Sequence, residues 1–564
     1  MTNVIEHVAR SISETIEKAI KKAQSKGDFP QENDIKIHIE TPKDKGHGDF
    51  ATNIAMQMTK QFKMPPREIA KIIIDNIDTT GSYIQKTECA GPGFINFYLN
   101  EKWLSYILET IQKEKEGYGT INIGKGEKVM VEFVSANPTG PLHMGNARGG
   151  ALGDCIARVL KASGYDVTKE FYVNDAGNQI EKFAQSLSAR YIQQIKGEDA
   201  VDFPEDGYQG EDIIEHVKEY IEANGNNLIE KDARERMDIL SKHALSKNLE
   251  KIKNDLLQYG ISFDVWFSEQ SLYDNKELEE TIEYLKLSGY TYEKDGALWF
   301  KASDFGTEKD EVLVRKNGIP TYFASDIAYH KNKFAKRGFC RVINLLGADH
   351  HGHAARMKAA VSALGISDER LDIVIFQLVR LYRNGEVARM SKRTGRAITL
   401  VDLLDEVGRD AARFFFNTKA SGNHLDFDLD LAVKQSNENP VYYVQYAHAR
   451  ICSMLKLLEN EGVKVPSFEN VDLSLLICKE EVELIKKLAE FPEEINISAN
   501  TLEPSRLTRY ILDVASLFHS FYNACRVKGE EKGIAKARLL LVDSTRIVIR
   551  NVLDILNIGA PEKM

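Results

Sequence analysis

Apolar residues recur at Val4, Ile5, Val8, Ile12, Ile16, Ala19 and Ile20. This stripe, 3.6 residues in period, predicts an amphipathic helix. Two alternating runs, "DIKIHIE" and "GFINFYL", read as short strands, and "REIAKIIIDNI" lies between them as a helix. Residues 1–110 therefore read as a compact α+β domain, followed by the polar link "EKEGYGTINIGKGEK". Next comes "KVMVEFV" (128–134), a run of buried-strand character. A Pro/Gly turn follows it, then the helical segment "NARGGALGDCIARVLKASG", then a second strand, "DVTKEFYVND". Strand–turn–helix–strand is the unit of a parallel α/β sheet. A long helical stretch (178–260) separates it from the further strands "GALWFKAS", "EVLVRKNG", "RVINLLGAD" and "DIVIFQLVRLY". The expected fold class is α/β: a Rossmann-like parallel-sheet domain over 123–430, with a helical insertion at about 178–290. After Pro440 the aromatic and aliphatic spacing is helical, so 435–564 reads as an all-α bundle.

Length and composition agree with several soluble domains. At 564 residues, 43% hydrophobic and 28% charged, the chain is too long for one ordinary core. Its six cysteines form no CxxC pair and no Cys/His metal spacing. A reducing compartment follows, with no disulfide framework and no bound metal expected. The N-terminus lacks a signal-peptide pattern, and no apolar run is long enough to cross a membrane. A cytoplasmic protein is expected. A net charge of −10 argues against indiscriminate nucleic-acid binding, DNA included. A local basic excess between Pro504 and Arg550 leaves room for a docking face.

The turn "ANPTGPLHMGN" (136–146) carries the first candidate chemistry. A strand feeding a turn and then a helix sets backbone N–H groups at a helix N-terminus, where an anion is stabilised. Pro138 and Pro141 stiffen the approach, and Gly140 and Gly145 allow a ligand close to the backbone. His143 and Asn146, three apart, can both donate to phosphate oxygens. The turn is neither a Walker A loop nor GxGxxG. Far downstream, "LYRNGEVARMSKRTG" joins an Asn-Gly hairpin to a basic loop. The triple-His stretch "GADHHGH" (347–353) lacks metal-pair spacing; it follows a predicted strand, where α/β sheets place ligand loops.

"HMGN" (143–146) and "RMSKR" (389–393) together resemble the HIGH and KMSKS signatures of class I aminoacyl-tRNA synthetases. "VEFVSANPTGPLHMGNARGGALGD", "FYVNDAGNQIEKF", "YFASDIAYHKNKF", "VYYVQYAHAR" and the terminal "APEKM" narrow the resemblance to the bacterial arginyl-tRNA synthetase family, over the whole chain. That resemblance implies ligation of arginine to the 2′-OH of the tRNA terminal adenosine through an arginyl-adenylate, with ATP and Mg²⁺. It implies catalytic roles for His143, Asn146 and Lys392. For ATP it implies Pro138, Gly140, His143, Gly145, Asn146, His350, His353, Met390, Ser391 and Lys392. For arginine it implies Glu132, Asn137, Tyr322, Asp326 and Asp349. A guanidinium needs carboxylates, and Tyr322 and Asp326 share a helical face. On the residues alone, Glu132 could equally pair with a structural lysine, and Asp326 could be a surface acid. The N-terminal domain is expected at the tRNA elbow, with Phe94 and Asn96 as contacts. The helical domain is expected at the anticodon, with Tyr443, Tyr446, Arg450 and Met564.

Two departures stand out: Asn146 replaces the second histidine of HIGH, and Arg389 and Arg393 flank the second signature. Partners are expected to be arginine tRNA, arginine and ATP, and the chain is expected to act as a monomer. A small-molecule adenylyltransferase would share the histidine turn and the basic loop but would not need the helical domain. A tRNA-binding paralogue without activity would be expected to lose His143 or Lys392, and both are present.

Overall fold

A computed structural model describes residues 3–31, 36–42, 44–388 and 398–564. The predicted first helix runs Val4–Lys26. Asn3 caps it, and Gly27 ends it in the left-handed region. It packs with the Pro66–Asn76 helix on a three-stranded antiparallel sheet of β1 (Phe50–Thr52), β2 (Ile84–Ala90) and β3 (Phe94–Leu99), with β3 central. "DIKIHIE" departs from expectation. Of its described part, Glu40 alone bridges Ala51, and no strand forms.

The catalytic region is built on five parallel strands. These are β4 (Lys128–Glu132), β5 (Asp166–Val173), β6 (Val265–Ser268), and later β10 (Arg341–Gly347) and β11 (Leu371–Phe376). Their order is β11-β10-β4-β5-β6. The chain therefore steps outward from β4 one way and returns to build β10 and β11 on the other side. The crevice beyond the carboxyl ends of β4 and β10 is the switch point, where sheets of this type bind ligands. The helical stretch divides into Asn178–Lys196, Glu211–Asn224 and Ala233–Gln258, with their own core of Phe183, Leu187, Tyr191, Val217 and Leu240. β6 interrupts the expected 178–290 insertion, because it pairs with β5 in the main sheet.

Two expected strands belong elsewhere. β8 (Ala297–Phe300) and β9 (Glu311–Val314) form a separate antiparallel sheet with β7 (Thr291–Lys294). "LVRLY" becomes β12 (Val379–Arg383). It pairs with β13 (Glu386–Val387) across the Asn384-Gly385 turn and with β14 (Leu425–Asp428) on its other side. Both turn residues have positive φ, as such a hairpin requires. From Pro440 onward the structure is helical, ending in the Lys532–Leu556 helix, whose buried face joins one core continuous with the sheet and the N-terminal domain. Among the described residues no helix is long and apolar enough to cross a membrane.

Candidate functional site

The site begins where β4 ends. Val134 and Ser135 both have positive φ, 67° and 39°. For a β-branched residue this is a strained conformation, and such strain gathers at functional sites. The Ser135 hydroxyl donates to Glu132 Oε1 at 3.2 Å and accepts from the Tyr172 N–H at 3.1 Å. Those bonds hold the bend. Farther along, the Pro138 carbonyl accepts from Asn248 of the insertion at 2.9 Å, so the turn is fixed from outside as well.

His143 is the N-cap of the Met144–Ala162 helix. Its Nδ1 accepts from the Gly145 N–H at 3.1 Å, and Asn146 Oδ1 accepts from the His143 N–H at 3.0 Å. This reciprocal cap spends Nδ1 and Oδ1. It leaves His143 Nε2–H and Asn146 Nδ2 as the donors facing out. Burial lowers the His143 pKa, against the attraction of Asp349, so the ring is a neutral donor at pH 7. At Gly145 a Cβ would lie 3.0 Å from the His143 ring and crowd it, whereas Gly140 faces open space. Gly140 therefore has no steric reason in this structure to be glycine.

A second group gathers at the carboxyl ends of β4, β5 and β6. Glu132 closes β4, Tyr172 lies near the end of β5, and Glu269 follows β6. Asp326 reaches in from the Tyr322–Lys331 helix. Glu269 is 1% exposed, and burial, with Asp326 beside it, pushes its pKa up to about 7. Tyr172 is raised by burial and by the charges of Glu269, Asp326 and Glu132, which places these acids around one phenol. Sequence reading missed Glu269, Tyr172 and Ser325. Nothing in "WFSEQS" marks its glutamate as buried.

Of the expected arginine residues, Asp326 and Glu132 enter this group. Asp326 also meets His353 Nε2 at 3.2 Å. Glu132 meets Lys333 Nζ at 2.5 Å, the structural pairing that the sequence left open. Asn137 donates to Gln179 at 2.6 Å, and the exposed Tyr322 ring lies against Gly177. Asp349 and His350 sit exposed just beyond β10 and pair at 3.3 Å. Met390, Ser391 and Lys392 lie outside the described residues. The segment after them does not: Thr399 forms an antiparallel bridge with His143, and the Leu400 N–H donates to the Leu142 carbonyl at 2.8 Å.

The proposed tRNA faces fare unevenly. Phe94 is half-buried, but Asn96 is 4% exposed, covered in the middle of the central strand, and so is not a surface contact in this conformation. In the helical domain, Tyr442 and Tyr446 stack with ring centres 6.2 Å apart, Tyr443 lies on His519 at 4.8 Å, and Arg450 covers Tyr522 at 3.8 Å. Met564 is exposed beside Tyr442, on the wall of an open cleft of about 650 Å³. Five of the basic residues between 504 and 550 are paired within the chain: Arg506, Lys528, Arg538, Arg546 and Arg550 meet Glu494, Glu461, Glu481, Asp543 and Asp554, with Lys528 and Arg550 still exposed. Among the described residues one group has metal-like proximity, Cys478, Glu481 and Cys525, with ligand atoms within 4.8 Å of one another. Arg538 already donates to Glu481 at 2.7 Å there, which disfavours a cation.

Comparison with known proteins covers all three regions. Residues 10–99 match the family described as arginyl tRNA synthetase N terminal domain. Residues 108–436 match tRNA synthetases class I (R), catalytic domain, and 444–564 match the DALR anticodon binding domain. The chain is 70% identical to an arginine–tRNA ligase of Acetivibrio thermocellus and 66% identical to one of Ruminiclostridium cellulolyticum, over all 564 residues and the whole of each relative. The fold matches a Thermus thermophilus arginyl-tRNA synthetase with a TM-score of 0.73 at 22% identity, over 99% of this chain and 100% of that one.

Proposed function

The chain belongs to the arginyl-tRNA synthetase family and is an ATP-dependent arginine–tRNA ligase, and from that premise we propose which residues carry the reaction. An arginine carboxylate oxygen attacks the α-phosphorus of ATP, and the bond to the bridging oxygen breaks, releasing pyrophosphate. The 2′-OH of the tRNA terminal adenosine then attacks the arginyl carbonyl, loses its proton, and AMP departs.

The observation that carries the assignment is the buried Glu269 with the half-buried Asp326 beside it, two acids at the carboxyl ends of the strands, met on the Asp326 side by the imidazole of His353. A site of this kind is incomplete without a cation. It lies two strands from the phosphate turn, which suits a substrate with its cation at one end and its reacting carboxylate at the other. Glu269 and Asp326 would take the guanidinium, with Tyr172 packed against them and Tyr322 closing from the exposed side. Glu132 and Asn137, next to the turn, would take the α-ammonium and carboxylate end.

His143 Nε2–H and Asn146 Nδ2 would meet the phosphate charge as it develops, donors typically worth about 10²–10³ in rate each. Pro138, Gly140, Gly145, His350 and His353 would line the approach of the nucleotide, and Asp349, exposed just beyond β10, would join the arginine-binding residues. Met390, Ser391 and Lys392 would close over the pyrophosphate side. Mg²⁺ would accompany ATP, with no protein ligand assigned to it. Phe94 would touch the tRNA elbow, and Tyr443, Tyr446, Arg450 and Met564 its anticodon, by stacking backed by charge. The protein would act in the cytoplasm as a monomer.

The test is to offer each of the twenty amino acids, labelled, with ATP, Mg²⁺ and bacterial tRNA. Arginine alone should be charged. In Asp326→Asn the KM for arginine should rise by about tenfold or more, the loss of one charged hydrogen bond. An unchanged KM would remove Asp326 from the pocket.

A further inference from the structure

Lys333 is a fully buried lysine, and burying an ammonium is costly unless it is paired. The helix that carries Asp326 ends at Lys331 and continues over Asn332–Lys336 as a wider π turn. Such turns are rare and recur at functional sites. This one sends Lys333 inward. Its Nζ donates to Glu132 Oε2 at 2.5 Å and to Asn344 Oδ1 at 3.1 Å, and lies 4.0 Å from the centre of the Tyr329 ring. Glu132 and Asn344 are register partners on β4 and β10, so Lys333 straddles the switch point. The network continues: Asn344 Nδ2 donates to His330 Nε2 at 2.8 Å, and His330 Nδ1 donates to the Asp326 carbonyl at 2.7 Å. Burial holds His330 neutral, which lets one nitrogen accept while the other donates.

Lys333 draws Oε2 of Glu132 inward. Among the described residues, the other oxygen, Oε1, accepts from the Ser135 hydroxyl at 3.2 Å, and a carboxylate oxygen has a second lone pair to offer. The charges then divide. Glu132 and Lys333 form one paired unit, apart from Asp326 and Glu269 at the far end of the site. We propose that Lys333 is a positioning residue for the amino-acid substrate: it turns Glu132 so that one oxygen is held inside and the other receives the α-ammonium of arginine. This rests on the reading of Glu132 as an arginine-binding residue.

The test uses the charging assay with δ-guanidinovalerate as a competing ligand, an arginine analogue that lacks the α-amino group. In Lys333→Met the KM for arginine should rise at least about tenfold. The change should fall on KM rather than kcat, while the inhibition constant of δ-guanidinovalerate stays at the wild-type value. Lys333→Gln keeps an N–H donor and removes the charge, and carries the same comparison if Lys333→Met does not fold. Glu132→Gln is run alongside. If it raises the arginine KM but the Lys333 variants do not, or if they weaken both ligands alike, the positioning role is overturned and the Glu132 reading stands. If Glu132→Gln leaves the arginine KM unchanged, that reading falls, and Lys333 has nothing to position.

Discussion

At the scale of single residues, the proposed arginine site turns on the ionisation of Glu269. Glu269 has its pKa raised to about 7 by burial and by Asp326. Its protonated form therefore dominates below pH 7, and a guanidinium needs the ionised form. The KM for arginine should fall as pH rises from 6 to 8, by up to about tenfold per unit below pH 7, and flatten above it. Glu269→Gln should abolish that slope and leave KM high throughout. A slope that persists in Glu269→Gln assigns the titration to another group. Stability follows the opposite sign. The folded state binds this proton more tightly than the unfolded chain, so the protein loses up to about 3 kcal/mol between pH 4.5 and 7 through this group, and bound arginine offsets the loss. The sequence could not have shown this. Asp326 was named through the family resemblance, since on the residues alone it could be a surface acid; Glu269 becomes buried only through packing of the Tyr322–Lys331 helix, far along the chain. Lys333 was hidden in the same way, since "HKNKF" reads as a solvated basic run until the π turn rotates it inward.

At the scale of elements, the Met144–Ala162 helix ties the proposed phosphate turn to the core. Its first turn holds the His143 cap, and its middle buries Asp154, which Arg413 meets at 2.7 Å, Arg158 at 2.9 Å and Lys169 at 3.2 Å. Burial opposes ionisation of Asp154, yet these three cations hold its carboxyl below the usual range. Asp154→Asn should cost about 3–5 kcal/mol, because Arg413 is then buried without its counter-charge. Denaturant unfolding at pH 7 measures it, and the difference from wild type should shrink as pH drops below 3.8 and Asp154 itself becomes protonated. A loss under 1 kcal/mol would mean that water, with the Leu556 and Tyr259 carbonyls already accepting from it, suffices for the arginine. The helix and its flanking strands were legible in advance because a Val/Phe run, a Pro/Gly turn and a Gly stop punctuate them. The strand order was not. "GALWFKAS" and "EVLVRKNG" have the apolar content of sheet strands, and only the tertiary pairing of β8 with β7 and β9 takes them out of the main sheet.

At the scale of the whole molecule, the three regions are fastened by buried polar bonds as well as by apolar contact. Asn551 on the last helix donates to the carbonyls of Lys115 and Tyr118 at 2.8 and 2.9 Å, and the Tyr118 hydroxyl donates to the Leu488 carbonyl at 2.9 Å. Asn551→Leu leaves two carbonyls without this donor and should lower stability by about 2–4 kcal/mol. If the regions unfold as one body, calorimetry should show the whole transition moving; movement of one of two separate transitions would mean that they melt independently. The bridge between Thr399 and His143 has a consequence for the protein's own synthesis. Residues about 250 positions apart meet there, and closing a loop of that length costs about 5 kcal/mol of chain entropy. That closure is met only when everything between them has folded. A ribosome-bound chain that has not yet extruded Leu400 thus lacks one wall of its nucleotide turn, and the enzyme on which arginine codons depend begins to work only after most of its own message has been read.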